Sequence, residues 1–178
     1  MVAAKIDSPI DIVPIADVAS DRVELLLDQA FGAGRHERTA YRIRAGMPVI
    51  PEASFAALSG VRLLGTIQCW PIRFAGDDSN DVAMVQIGPV AVDPAHQHGG
   101  IGRLLTGHAL DAAAAQDMAD ALTLIGDPEY YGRFFGFDAS RTGLWRVPGP
   151  VERHRLLARG SAVPDRAGML APRIHALA

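Results

Sequence analysis

The stretch from Val85 to Leu105 constrains this chain more than any other. Val85, Ile87, Val90 and Val92 form an apolar run, Asp93-Pro94 stops it, and a glycine-rich turn, Gln97-His98-Gly99-Gly100-Ile101-Gly102, follows. Ile101, Leu104, Leu105, His108, Ala109 and Ala112 then recur at helical spacing, so the segment reads as strand, loop and helix. Such a junction aims unpaired backbone N–H groups and the positive end of a helix dipole at one point, which suits a phosphate or pyrophosphate. Within the strand, Gly88-Pro89 removes a ladder donor and loosens the backbone, predicting a bulge or splay. Backbone groups around Val90 and Val92 are then expected to lack a neighbour strand and to be free for a ligand that carries amides.

The size of the chain limits what this junction can belong to. With 178 residues, 49% of them hydrophobic, one domain with a substantial core is expected, and a second full domain is not. Residues 1–147 read as the domain and 148–178 as a C-terminal extension packing on it. A formal net charge of −3 gives no basic field, so nucleic acid is a poor partner. Cys69 is the single cysteine. No disulfide framework or cysteine-rich metal site can be built on it, and its setting Thr66-Ile67-Gln68-Cys69-Trp70 reads as a strand with a buried, inert thiol. The N-terminal residues carry no long apolar stretch, and no run of about 18 apolar residues occurs anywhere. A cytoplasmic protein without a membrane partner is the expectation.

Along the chain, Ile10–Ile15 reads as an edge strand because Pro14 cannot donate to a ladder. Asp21 with Glu24 marks a helix start, with Val23, Leu26, Leu27 and Ala30 on one face up to Phe31-Gly32. Arg35–Gly46 carries four arginines, one histidine and one glutamate at spacings that suit a second helix, either a solvated one with i,i+4 pairs or one that supplies charge to a substrate. Ser54–Leu58 and Val61–Trp70 read as strands joined by a tight turn at Ser59-Gly60. After the helix that starts near Gly99 and runs to about Met118, Ala121–Ile125 reads as a buried parallel strand, giving a βαβ crossover whose strand tips open a crevice. Asp127-Pro128 caps a further helix over Glu129–Phe134. Arg153–Ala158 reads as a last strand, and the remaining tail as irregular.

The pattern Gln97-x-x-Gly100-x-Gly102 after Val90-Ala91-Val92-Asp93-Pro94, followed by a helix, a strand, Tyr130-Tyr131 and Gly136-Phe137, resembles the GCN5-related N-acetyltransferase (GNAT) superfamily. The segment from Gly126 to Phe137 looks most like its small bacterial YhbS-type branch. The resemblance implies an α/β fold with a central, mostly antiparallel sheet, a splayed parallel strand pair and flanking helices. It implies acetyl-CoA as co-substrate in the splay. Val90, Ala91 and Val92 would offer backbone groups to the pantetheine arm and thioester, Gln97, His98, Gly99, Gly100, Ile101, Gly102 and Arg103 would surround the pyrophosphate, and Asp127 would be a further cofactor-binding residue. The glycines permit close backbone approach, and Arg103 adds charge in the first helical turn.

The implied reaction is attack of a neutral amine on the thioester, with an oxyanion held by a strand N–H and the departing thiolate protonated by a tyrosine. Tyr131 takes that role here, with Tyr130 second. The family places this tyrosine four residues before the glycine of Gly-Phe, whereas here Gly132 holds that position and Tyr131 stands five before Gly136. For a base, His36, Glu37 and Asp127 qualify only if they face the cleft, and Gln86 cannot accept a proton. The acceptor is an unidentified amine of a small molecule or peptide, and a homodimer is left open. Two other classes stand beside the enzyme: a non-catalytic acyl-CoA-binding sensor or interaction module, favoured by the tyrosine spacing, and a nucleotide-binding α/β protein, disfavoured by the missing Lys-Ser/Thr of a P-loop.

Overall fold

The polar turn between Gly76 and Asp81 joins the two longest strands, β3 (Arg62–Gly76) and β4 (Val82–Val92), into an antiparallel hairpin at the centre of the sheet. The computed structural model describes residues 8–174. Its sheet runs β1 (Ile10–Pro14), β2 (Phe55–Ser59), β3, β4, β5 (Leu122–Ile125), β7 (Leu156–Arg159), and all neighbours are antiparallel except the β4–β5 pair. Four helices accompany it: α1 (Ser20–Phe31), α2 (Thr39–Ile43), α3 (Ile101–Ala115) and α4 (Pro128–Phe135). The expected mixed α/β architecture is the observed one.

The period-two alternation of the strands sorts the core into two faces. Ala56 and Ala91 turn to α1 and pack with Val23, Leu26 and Leu27. Their strand neighbours Phe55, Ala57, Val90 and Val92 turn to the other face, where Ile101, Leu105 and Ala109 of α3 cover them. The register of α3 differs from the expectation at two of the residues placed on its inner face, Leu104 and His108: Leu110 and Ala113 are buried, whereas Leu104 is 46% exposed. His108 lies outside with its ring edge-on to Phe55 at 4.4 Å.

Three segments depart from the sequence reading. Helix α1 begins after Ala19 without a side-chain cap; Glu24 turns instead to Arg35. The arginine-rich stretch forms a 3-10 turn over Ala33–Glu37 and the short α2 rather than one solvated helix. Arg35 is 2% exposed, donating to Asp28, Glu24 and the Tyr41 hydroxyl. Burial lowers its proton affinity, but these three partners outweigh it and raise it above the ordinary arginine value. In the tail, β8 (Gly168–Pro172) pairs antiparallel with the far half of β3, from Ile72 to Gly76, and parallel with the short β6 (Trp145–Arg146). Strand β3 therefore continues through Pro71, which lies where its outer edge has left β2 and not yet met β8, so no ladder donor is lost there.

Cys69 is fully buried. Burial pushes its thiol up to about 12, with the Gly88 N–H pulling the other way. Burial likewise pushes the Tyr131 hydroxyl up to about 12. Both groups fold in the neutral form, so the stability they provide is present below their ordinary values of 9.0 and 10.0 and is lost as pH rises toward 12. The thermal midpoint should fall steadily above pH 9, and Cys69→Ala should flatten that fall between pH 9 and 10. An unchanged slope in the variant would refute the assignment.

Candidate active site

The splay adjoins the bulge of β4 at Gly88-Pro89. Strand β4 pairs Ile67 with Val90 and Cys69 with Ile87, so β4 carries one residue more than β3 across the interval and bulges at these two positions. On its other side β4 pairs with β5 only at Val85–Leu122 and Gln86–Thr123. Beyond Gln86 the two strands part, and β5 is held instead by β7 through Leu124 and Ile125 and by the Gly126 N–H bound to the Arg155 carbonyl at 3.0 Å. A cavity of about 360 Å³ fills the gap, with Ile87, Gly88, Pro89 and Val90 on one wall and Leu124, Ile125, Gly126 and Tyr131 on the other.

The Asp93 N–H donates to the Leu64 carbonyl. Antiparallel alternation then turns the Ala91 backbone to β3 as well and leaves the N–H and C=O groups of Val90 and Val92 facing the opening. A Cβ at Gly65 would sit 2.9 Å from the Ala91 carbonyl, which locates that carbonyl in the β3 interface. Of the three strand residues named from the sequence, Val90 and Val92 thus have backbone groups toward the cleft and Ala91 does not.

A second cavity, of about 430 Å³, shares Phe31 and Val90 with the first and is lined also by Val92, Gln97, Gly100, Gly102, Arg103 and Tyr130. It lies over the start of α3. Asp93 shapes the approach: its oxygens accept from the Ala95 N–H at 2.9 Å and from Arg62 at 2.9 Å. Burial alone would raise its carboxyl, but these donors hold it below the usual range. Gly100 ends the turn with φ +75°, a left-handed conformation that side chains rarely adopt. His98 and Gly99 are exposed in the turn, outside both cavities, and the Ile101 side chain is buried in the core under α3. Arg103 lies exposed, its guanidinium 4.9 Å from the Phe134 ring centre.

Helix α4 sets the two tyrosines. Asp127 caps it by accepting the Glu129 N–H at 3.0 Å, and Pro128 occupies the first helical position. At its end Gly136 adopts φ +70°, its N–H bonding to the Gly132 carbonyl and the Phe137 N–H to the Tyr131 carbonyl. The helix is regular, so the longer interval between Tyr131 and Gly136 introduces no bulge. Consecutive residues on a helix point about 100° apart, and here they serve different cavities: Tyr131 lines the splay and Tyr130 the cavity over α3. Burial raises both hydroxyls above the ordinary tyrosine value. The Tyr131 ring lies on Gly126, where a Cβ would come within 2.5 Å of it. Gly126→Ala should therefore displace the ring while leaving the cavity over α3 intact, lowering kcat about tenfold or more with little change in acetyl-CoA binding.

Phe31 and Arg155 carry no sequence signal for the cleft, and Arg38, Tyr41 and Arg44 only that of a stretch able to supply charge to a substrate, yet all line the splay cavity, together with Gln86. They come from the arginine-rich stretch and from the turn before β7, whose spacing carries no sign of a shared target. Of the candidate bases, Glu37 lines neither cavity, His36 packs against Tyr41 at 5.0 Å, and Asp127 is engaged as a cap.

Residues 21–137 match the model of the acetyltransferase (GNAT) family. The fold is similar to that of the GNAT family N-acetyltransferase YhbS from Escherichia coli, solved in complex with CoA, at 20% identity and a TM-score of 0.66, with 92% of this chain and 89% of that one covered. It is similar also to a GNAT family acetyltransferase from Brucella melitensis, solved in complex with acetyl-CoA, at 22% identity and a TM-score of 0.62, covering 94% and 97% of the two chains. No curated relative matches the chain. No helix among the described residues is long and apolar enough to cross a membrane. The glycine turn, the bulged strand and the family match agree, and the chain belongs to the GNAT acetyltransferase family.

Proposed function

We propose that the protein is an acetyl-CoA-dependent N-acetyltransferase that transfers the acetyl group to a primary amine of a small molecule or peptide by direct attack. The observation that carries this reading is the position of Tyr131 on the splay wall opposite Val90, next to a cavity over the start of α3. The open α3 N-terminus, with the N–H groups of its first turn, suits the coenzyme pyrophosphate, with Gln97, Gly100, Gly102 and Arg103 around it. The pantetheine arm, which carries amides, suits the free backbone groups of Val90 and Val92. The CoA and acetyl-CoA bound by the Escherichia coli and Brucella melitensis proteins support the same ligand here.

The amine nitrogen attacks the thioester carbon, a C–N bond forms, and the carbonyl electrons move onto oxygen, where a strand N–H stabilises them. Collapse breaks the C–S bond, and the thiolate takes the Tyr131 proton. The nitrogen loses its extra proton, and the phenol is restored from solvent. No histidine among the described residues lines the splay cavity, and its one carboxylate caps α4. The acceptor ammonium is therefore deprotonated by water rather than by a side chain. In a series of amines, log kcat/KM should rise with unit slope up to each acceptor's own pKa; an inflection near pH 6–7 that is common to all acceptors would instead reveal a protein base. Release of free thiol from acetyl-CoA in the presence of an amine panel tests the activity itself. Stabilisation by acetyl-CoA with no thiol release from any amine would favour the acyl-CoA-binding module.

A further inference from the structure

The splay cavity holds polar groups that acetyl transfer as such leaves unused. Arg44 is 4% exposed, its guanidinium between the rings of Tyr41 and Trp70, 4.1 and 4.4 Å from their centres. Its Nη1 donates to the Gly88 carbonyl at 3.1 Å, while Nη2 is buried with no hydrogen-bond partner among the described residues. Gln86 is 2% exposed. Its Nε2 donates to the Ala40 carbonyl at 3.1 Å, and Oε1 is buried and likewise unpartnered. Both side chains line the cavity. A buried polar atom left unpaired forfeits the hydrogen bond it had in water and calls for an explanation; two in one cavity are explained together by a ligand that accepts from one and donates to the other.

The charge around them says which ligand. Arg38 and Arg155 line the same cavity, giving three arginines against the single carboxylate of Asp127, which is occupied by the Glu129 N–H. Glu24 and Asp28 do not compensate, since both are engaged by Arg35. Burial pulls the Arg44 guanidinium down to about 10, with the Tyr41 hydroxyl acting in the opposite sense, so it remains a cation at neutral pH whose charge is only partly offset. A polyamine or any acceptor with several positive charges meets repulsion here.

We propose that the acceptor is an amine that also carries an oxyanion, a carboxylate or a phosphate: the oxyanion is received by Arg44 with Arg38 and Arg155, and the amine donates to Gln86 Oε1. The identity of the transferred group rests on the acetyltransferase reading above, whereas the anion site does not. Arginine in such a site is a directed donor as well as a charge, and lysine does not replace it.

Binding is measured first, as the dissociation constant from thermal shift at saturating CoA. The panel comprises the α-amino acids against their amides, O-phosphoethanolamine against ethanolamine, and spermidine. The expected result is binding at least tenfold tighter for the oxyanion-bearing member of the carboxylate or of the phosphate pairs, which also tells the two oxyanions apart, and no binding of spermidine. Arg44→Lys and Arg38→Gln should reduce that preference at least fivefold while CoA still stabilises both variants. Should Arg44→Lys not fold, the wild-type preference and Arg38→Gln decide. Equal binding of paired ligands, tighter binding of spermidine, no binding by any amine while CoA stabilises the protein, or a preference unchanged in every variant that folds would each overturn the proposal. If the anionic amines bind selectively but none releases thiol from acetyl-CoA, the anion site stands and the acetyltransferase reading falls.

Discussion

Replacing Tyr131 with Phe is expected to lower kcat for acetyl transfer about 10²-fold, the low end of what a positioned proton donor contributes. The dissociation constant for acetyl-CoA should stay within about twofold, because the substitution removes one hydroxyl from the splay wall and leaves the cavity over α3 untouched. The proton is available throughout the working range: burial pushes the hydroxyl up to about 12, so it stays protonated across the neutral range and contributes no falling alkaline limb to the profile there. Tyr130→Phe is the matched control. Its ring lines the other cavity, so KM for acetyl-CoA should rise severalfold with kcat held. Steady-state thiol release from the two variants separates these roles, and a Tyr131→Phe enzyme with wild-type kcat at all pH values would remove Tyr131 from the reaction.

Gly102→Leu is expected to raise KM for acetyl-CoA about 10²-fold or more, equivalent to the loss of roughly 3 kcal/mol of binding. A Cβ at this position would stand 3.7 Å from Val92, 3.8 Å from Val90 and 3.9 Å from the Tyr130 hydroxyl. One methyl group fits at ordinary contact distance, but any longer side chain fills the space between the α3 N-terminus and Tyr130. The effect is therefore graded. Gly102→Ala should change KM less than about tenfold and stabilise the fold by up to about 1 kcal/mol through the higher helix propensity of alanine. Calorimetric titration with CoA measures both variants, and equal affinity for Gly102→Leu and the wild type would move the pyrophosphate elsewhere.

The parts legible in the sequence were those governed by local chemistry. The glycine turn, the bulge at Gly88-Pro89 and the Asp127-Pro128 helix start each follow from the backbone preferences of one or two residues, and each lies where expected. What escaped depended on partners far along the chain. Pro71 reads as the end of a strand until β8, about a hundred residues later, is known to take over the outer edge of β3 beyond it. The arginine-rich stretch reads as a solvated helix or as one that supplies charge to a substrate, and nothing in its spacing reveals that Arg35 satisfies Glu24 and Asp28 or that Arg44 stacks between Tyr41 and Trp70. Leu104 looks like a core residue by its position in the apolar run, but the face of α3 is fixed by Ile101, Leu105 and Ala109 and leaves it outside. The proposed coenzyme side was therefore legible, because one contiguous strand, turn and helix carry it. The proposed acceptor side was not.

That asymmetry bears on how such a chain can change. The two stretches that supply the arginines of the splay cavity are tied to each other: Thr39 Oγ1 donates to the Pro150 carbonyl at 2.6 Å, and a Cβ at Gly149 would come within 2.5 Å of that hydroxyl. A graft of residues 31–50 from a relative would bring a surface that no longer fits the host's turn at 148–150, and the reciprocal graft would fail in the same way. Exchanged together, the two stretches carry their own fit with them and leave the strand, turn and helix at 85–105 unaltered. If the proposed acceptor site holds, acceptor preference is a trait inherited by two distant segments as a pair, with a recombination rule that the proposed coenzyme half does not share.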